Sequence, residues 1–334
     1  MRLKTPLFAA KLGDENGQEP VVSSPRERAI QWVKNHRIPG GGILVNHKAT
    51  AASQEVTGYL IATLCRVGEK DLAMDLARWE ASVQRGDGAF AAPDNVAYTF
   101  DTAQVIRGFL AVVNELPQIE RNLRKACDFV CGQITAEGRV TTPSYEMWRC
   151  PDGSRFSEFT DLYVLPPLAQ AGKLFGESRY IDAAARALKY FEDKPDIVEF
   201  KPQFGTLSHI FGYMMEALVE MDETALARKG LEQAAALQKE SGEIPAYPGV
   251  EWVCSTGMAQ LAIAWYKLGE RGPADKAMRY LEELQNPTGG FYGSYGPGRL
   301  YLPDVEISWA VKFFLDALLP KQGQGLDCAG SVES

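Results

Sequence analysis

Apolar and polar positions in this chain are sorted into long blocks. Six stretches are apolar almost without interruption, and each opens on a polar or reactive residue: Glu55, Asp101, Asp161, His209, Cys254 and Glu306. Other stretches carry apolar residues at helical spacing with charges between, as from Lys70 to Trp79. The first kind predicts helices covered on all sides, near residues 54–67, 101–114, 161–174, 207–220, 254–268 and 305–318. The second kind predicts amphipathic helices with one face in water. Gly68, Gly176 and Gly269, each followed by a glutamate, separate the two kinds. Glycine supplies the left-handed residue on which a helix ends. No run alternates strictly enough for a sheet strand, although the loops leave room for short hairpins.

A short phrase punctuates these blocks: a glutamine, a few polar residues, a glycine and an apolar residue. It runs from Gln84 to Phe90, from Gln133 to Gly138, from Gln238 to Gly242 and from Gln285 to Phe291, with a degenerate copy from Gln31 to Ile43. Its final glycines fall at 42, 88, 138, 242 and 290, in steps of 46, 50, 104 and 48. The long step holds one worn copy, near Phe191 to Gly205. A period near fifty residues marks a repeat architecture. Each unit is a helical hairpin with one apolar and one half-polar helix. An open solenoid of such hairpins needs polar capping units at both ends. The first and last units here are as apolar as the middle ones, which predicts closure. The expected fold is all-α, an (α/α)6 toroid over residues 25–320, with flexible segments at 1–24 and 321–334.

With 334 residues and 46% hydrophobic content, the chain has material for one large core, and a single ring uses it all. A net charge of −8 without a basic cluster argues against nucleic acid as a partner. No apolar run reaches the ~18 residues that span a bilayer, and the N-terminus lacks a secretory pattern. The six cysteines are scattered, as expected of reduced thiols in a cytoplasmic protein. Cys127 and Cys131 lie one helical turn apart, but no second pair supports a zinc site. The sequence calls for no metal and no cofactor.

In a ring, the apolar helices all point the same way, so their N-termini meet at one mouth. Glu55, Asp101, Asp161, His209, Cys254 and Glu306 are expected there. Asp is an ordinary helix N-cap, but Glu, His and Cys are not, so a purely structural column would read differently. Paired carboxylates perform acid and base work when their surroundings split their pKa values. Glu55 and Asp101 start adjacent helices and are the first choices, with Asp161, His209 and Glu306 as further catalytic candidates. Tyr59, Tyr98, Tyr145, Trp148, Arg149, Tyr247, Trp252, Tyr292 and Tyr301 lie close to the helix starts, as does Tyr295. Aromatic rings stack on the weakly apolar faces of sugars, so these are expected to bind substrate. Arg107, Arg149, Arg155, Lys201 and Arg299 are candidate partners for a substrate carboxylate.

The hairpin order and the glutamine–glycine phrase resemble the (α/α) toroid superfamily over about residues 25–320. That group includes terpene cyclases and protein prenyltransferases, and also uronyl hydrolases, polysaccharide lyases and sugar epimerases. The Asp-rich motif of the cyclases and the zinc ligands of the prenyltransferases and of the thioether-peptide cyclases have no counterpart here. The segment from Cys254 to Gln260 is similar to a short stretch of glucuronyl C5-epimerases. The resemblance implies a carbohydrate-active enzyme, with hydrolysis, elimination and epimerisation all open. An isoprenoid-handling toroid and a non-catalytic glycan-binding protein are the alternatives.

Overall fold

The computed structural model describes residues 23–145 and 149–323. Trp148 and almost all of the two expected flexible segments lie outside them. Twelve α-helices span the described residues: α1 (Pro25–Asn35), α2 (Gln54–Arg66), α3 (Lys70–Val83), α4 (Thr99–Val112), α5 (Glu120–Gly132), α6 (Leu165–Phe175), α7 (Ser178–Glu192), α8 (Ser208–Glu220), α9 (Thr224–Leu237), α10 (Ser255–Lys267), α11 (Arg271–Leu284) and α12 (Ser308–Lys321). The even-numbered helices are the apolar ones. They form an inner ring, and the odd-numbered helices pack outside it. Helix α12 packs on both α1 and α2, which closes the (α/α)6 toroid.

Two inner helices differ from their expectations: α12 begins at Ser308 rather than near residue 305, and α6 begins late. Residues Glu158–Val164 form a 3-10 helix, and α-helix begins only at Leu165. Pro166 and Pro167 have no N–H to give to the carbonyls of residues 162 and 163, so an α ladder cannot run through this point. A two-stranded antiparallel ladder, β1 (Val253–Cys254) with β2 (Ser294–Tyr295), ties two of the mouth loops together.

The repeated phrase is a clamp between neighbouring hairpins. The Gln84 amide donates to the carbonyls of Gly88 and Asn122, both at 2.9 Å. Gln238 does the same to Gly242 and Pro273, and Gln285 to Gly289 and Pro25. Whereas Gln31 bonds Asn35 of its own helix and Gln133 accepts from Thr141, these three glutamines each join their own turn to the start of the next outer helix. The turn glycine has φ of 91° at Gly88 and 100° at Gly242, and a Cβ there would lie 2.2 or 2.1 Å from a carbonyl oxygen of that helix. Only glycine tolerates both demands. In the last copy Gly289 fills this role, with φ of 91° and the Arg28 carbonyl oxygen 2.2 Å from a Cβ, one residue before the aligned glycine; in the first copy the matching turn hydrogen bonds fall on Gly41, which meets neither demand. In the worn copy the grip is reversed: Gln233 of α9 donates to Val198 and accepts from the Phe200 N–H.

Gln285 links the last turn to α1, and its Oε1 also accepts from Arg28 at 2.6 Å. Gln285→Ala is expected to lower unfolding stability by ~1–3 kcal/mol in denaturant titration. Gln285→Glu should not rescue it, because a carboxylate cannot donate to the Pro25 and Gly289 carbonyls.

The end of the ring axis away from the helix N-termini is filled by buried charge. Arg107 and Lys267 pair with Glu220 at 2.9 and 2.6 Å, and Arg66 and Lys312 pair with Asp316 at 3.1 and 3.2 Å. The other end holds a cavity.

Candidate active site

The cavity has a volume of about 660 Å³, including the part open to solvent. Glu55, Tyr98, Phe100, Asp101, Phe156, Thr160, His209, Ile210, Tyr213, Tyr301 and Trp309 line it. Glu55 stands in the first turn of α2 and Asp101 in the first turn of α4. Two glycines bring these helices unusually close. A Cβ on Gly58 would lie 2.7 Å from the Val105 backbone, and one on Gly108 only 2.2 Å from the Gly58 carbonyl oxygen. The two carboxyls therefore enter one cavity from backbones in direct contact.

Burial raises the Glu55 pKa to about 7. Burial, then the nearby Glu55 and Asp94 charges, raise Asp101 well above the usual carboxylate range. No lysine or arginine is among the described residues lining the cavity, so nothing there compensates two negative charges. Both carboxyls are pushed toward the protonated form, and Asp101 carries the added push of the Glu55 and Asp94 charges. Behind them, Glu80 of α3 is fully buried, with no hydrogen-bond partner for either carboxyl oxygen among the described residues. Burial and then Asp101 push its pKa well up, which makes it a neutral acid.

A raised carboxyl pKa is also a statement about stability. The folded Glu55 takes up its proton at a higher pH than the unfolded one. Its contribution is fully present below about pH 4 and is lost as pH rises toward 7. Glu55→Gln is therefore expected to stabilise the protein by ~1–3 kcal/mol at pH 8 and to change little at pH 4. Melting curves at the two pH values check this.

His209 lies in the first turn of α8. Its Nδ1 is 2.7 Å from the Gln260 Oε1. That oxygen only accepts, so Nδ1 carries the proton and Nε2 is left as an acceptor. Burial lowers the His209 pKa to about 4, against the Gln260 hydrogen bond, so the ring is neutral. Tyr213, one turn further along α8, packs against the His209 ring at 4.5 Å, with the two planes tilted by 45°. Tyr98 donates its hydroxyl to Asp94 at 2.7 Å, which fixes its ring on the wall. Tyr59 is fully buried below the cavity, and its hydroxyl has no partner among the described residues.

The expectation that all six column residues share the cavity needs correction. Asp161 lies on the 3-10 turn and lines a neighbouring hollow with Arg139, Tyr145 and Arg155. Glu306 precedes α12 and accepts from Trp32 at 2.7 Å, Asn286 at 2.8 Å and Thr288 at 2.5 Å. Burial works to raise its pKa, but these bonds hold it below the usual value. It pins the last loop to α1, and Trp309, one turn later, takes its place in the lumen. Cys254 is a buried residue at the start of α10 whose thiol is pushed up to about 12 by burial.

The aromatics divide in the same way. Tyr98 and Tyr301 line the cavity. Tyr247 and Trp252 meet each other at 5.6 Å and pack on Phe204, and Trp252 is only 2% exposed, so they build the wall behind the rim. Tyr292 packs on Tyr295 at 5.7 Å. Arg149 forms a backbone bridge with Arg155. Among the other cations, Arg107 is bound to Glu220 at the far end, Lys201 pairs with Asp196, and Arg299 pairs with Asp304. Phe100, Phe156, Thr160, Ile210, Tyr213 and Trp309 were not singled out as site residues from the sequence. Tyr213 had a legible signal, because it lies four residues after His209 on one helix face.

No family model and no curated protein matches the chain. Solved structures do. The fold is similar to an α-amylase from Clostridium perfringens, with a TM-score of 0.67 and 12% identity over 90% of this chain and 98% of that one. It is also similar to a family 88 glycosyl hydrolase from Bacteroides vulgatus, with a TM-score of 0.63 and 11% identity over 89% of this chain and 97% of that one. A polysaccharide lyase superposes with a TM-score of 0.61 and 13% identity over 89% of this chain and 95% of that one. The chain thus has the whole ring that these toroids share. No helix among the described residues is long and apolar enough to cross a membrane.

Proposed function

We propose that this chain is a glycoside hydrolase acting in the cytoplasm, with the cavity at the inner-helix N-termini as its active site. The observation that carries the reading is the carboxyl pair, Asp101 and Glu55, brought into one aromatic cavity from helices in direct contact, with no lysine or arginine among the described lining residues. Asp101 donates a proton to the leaving oxygen, and Glu55 is the ionised partner. His209 Nε2 accepts from a sugar hydroxyl, and Tyr98, Tyr213, Tyr301 and Trp309 pack on the ring faces. The similar structures include α-amylase and family 88 hydrolase folds, and one similar glycosidase was solved with glucose. The described cysteines are free thiols, in keeping with a reducing compartment.

With no lysine or arginine among the described lining residues, hydrolysis is favoured over the other sugar reactions. Elimination and epimerisation at a uronic acid build negative charge on the sugar carboxylate, and a positive group must meet it. An isoprenoid diphosphate would need the same kind of partner. Incubation with a panel of neutral and acidic polysaccharides tests the reading. New reducing ends, without the ultraviolet-absorbing double bond that elimination leaves, are expected. Unsaturated products would replace hydrolysis with a lyase reaction.

A further inference from the structure

Beside the active-site cavity lies a second hollow of about 550 Å³, lined by Arg139, Tyr145, Arg155, Phe156, Ser157, Glu158 and Asp161. Phe156 lines both spaces, so one aromatic ring is the partition between them. Their chemistry is opposite. The first has two carboxyls and no lysine or arginine among its described lining. The second has two arginines that make no ion pair among the described residues, and both are exposed to incoming ligand. Its carboxylates do not cancel them. Glu158 is taken by Lys194 at 2.7 Å. Asp161 is itself raised to about 7 by burial and by Glu158, with Arg139 pulling the other way. The next hollow along the rim offers Lys194 and Lys201, but both are already paired, with Glu158 and Asp196. Among the described residues neither guanidinium beside Phe156 has an ion-pair partner, although Arg139 acts on Asp161 from a distance.

From this juxtaposition we infer that the hollow is a binding subsite for an anionic sugar residue of the substrate, next to a reacting subsite that takes a neutral sugar. The inference rests on the glycosidase reading and adds the substrate class: a glycan that carries carboxylate, sulfate or phosphate on the residue beside the cleaved bond. Guanidinium binds such groups through paired N–H donors, and Tyr145 offers a ring face and a hydroxyl. A carboxylate on the reacting sugar itself would meet Glu55 and Asp101 without a counter-charge, which makes that placement the unfavourable one.

The test uses the full chain carrying Asp101→Asn, so that ligands are not consumed, and an array of immobilised oligosaccharides. Each neutral member is matched by versions bearing a uronate, a sulfate ester or a phosphate ester. At least one acidic version is expected to bind ~10-fold or more tighter than its neutral match, as charge-assisted contacts imply, and the three arms show which anion is preferred. Adding Arg139→Gln and Arg155→Gln should remove that preference, leaving neutral binding and the melting temperature unchanged. With wild-type protein, mass spectrometry of a mixed oligosaccharide should show cleavage that leaves the neutral sugar on the reacting side and the acidic one across the bond. Equal binding of neutral and acidic members, or a preference that survives the arginine changes, would overturn the subsite while leaving the glycosidase reading intact. If no glycan binds at all, the glycosidase reading falls and the subsite falls with it.

Discussion

Asp101→Asn is expected to reduce turnover by ~10²–10⁴-fold, the usual contribution of a positioned proton donor. The amide keeps the shape of the carboxyl and loses the proton it gives. Ligand affinity should change little, since the aromatic walls are untouched. Stability should not fall. Burial and its neighbours oppose the charge of the folded Asp101 and raise its pKa, so a neutral amide removes a cost at pH values above the normal Asp range. A plain helix cap would behave differently: Asn caps about as well as Asp, so neither turnover nor stability would move. The expected pair of results is lost activity with an equal or higher melting temperature. Kinetics and calorimetry on one purified variant measure both.

Gly108→Ala is expected to have the largest effect on folding. In an exposed helix interior, alanine in place of glycine gains about 1 kcal/mol. Here the new Cβ would sit 2.2 Å from the Gly58 carbonyl oxygen and 3.1 Å from the Ile61 side chain. A backbone oxygen cannot swing aside as a flexible side chain can. The helices α2 and α4 must separate, and overpacking of this kind costs ~1–3 kcal/mol or more, so the clash outweighs the helix gain. The same separation moves Glu55 away from Asp101, so turnover per folded molecule should fall as well. Gly86→Ala is the control, because a Cβ there meets nothing within 4 Å and should leave both quantities near wild type. Equal stability of the two variants would show that the Gly58–Gly108 contact does not set the helix spacing.

The ring was legible in the sequence because it rests on blocks of residues. A helix such as α8 is apolar on every face, and α7 on only one, so packed hairpins bury the first behind the second, and end units as apolar as the rest leave closure into a ring. The site was legible only where the helix register holds. Glu55, Asp101 and His209 each lie in the first turn of a regular inner helix and reach one cavity. Asp161 leaves the column because Pro166 and Pro167 force a tighter turn before α6. Glu306 leaves it because α12 starts at Ser308, two residues later, so the polar residue belongs to a loop and the lumen receives Trp309. The loop aromatics were harder still. Trp252 lies within a few residues of a helix start, as Tyr98 does, and Tyr247 is further back in the same loop, but proximity along a loop does not say which side of it a ring faces. Tyr98 turns inward through its bond to Asp94, whereas Trp252 is locked outside the lumen by Phe204 and Tyr247. The close helix pairs have a signal in the sequence. Gly58, Gly212 and Gly257 each stand three residues after a column position, where a missing Cβ admits the neighbouring inner helix.

The central claim is that the cavity between Glu55 and Asp101 holds a sugar for acid–base cleavage. A crystal structure of the Asp101→Asn protein soaked with mixed oligosaccharides tests it most directly. The account predicts a pyranose ring in the cavity, against Tyr98, Tyr213 and Trp309, with its glycosidic oxygen at hydrogen-bond distance from the amide at position 101. A cavity that stays free of sugar while oligosaccharide binds elsewhere on the protein would contradict it.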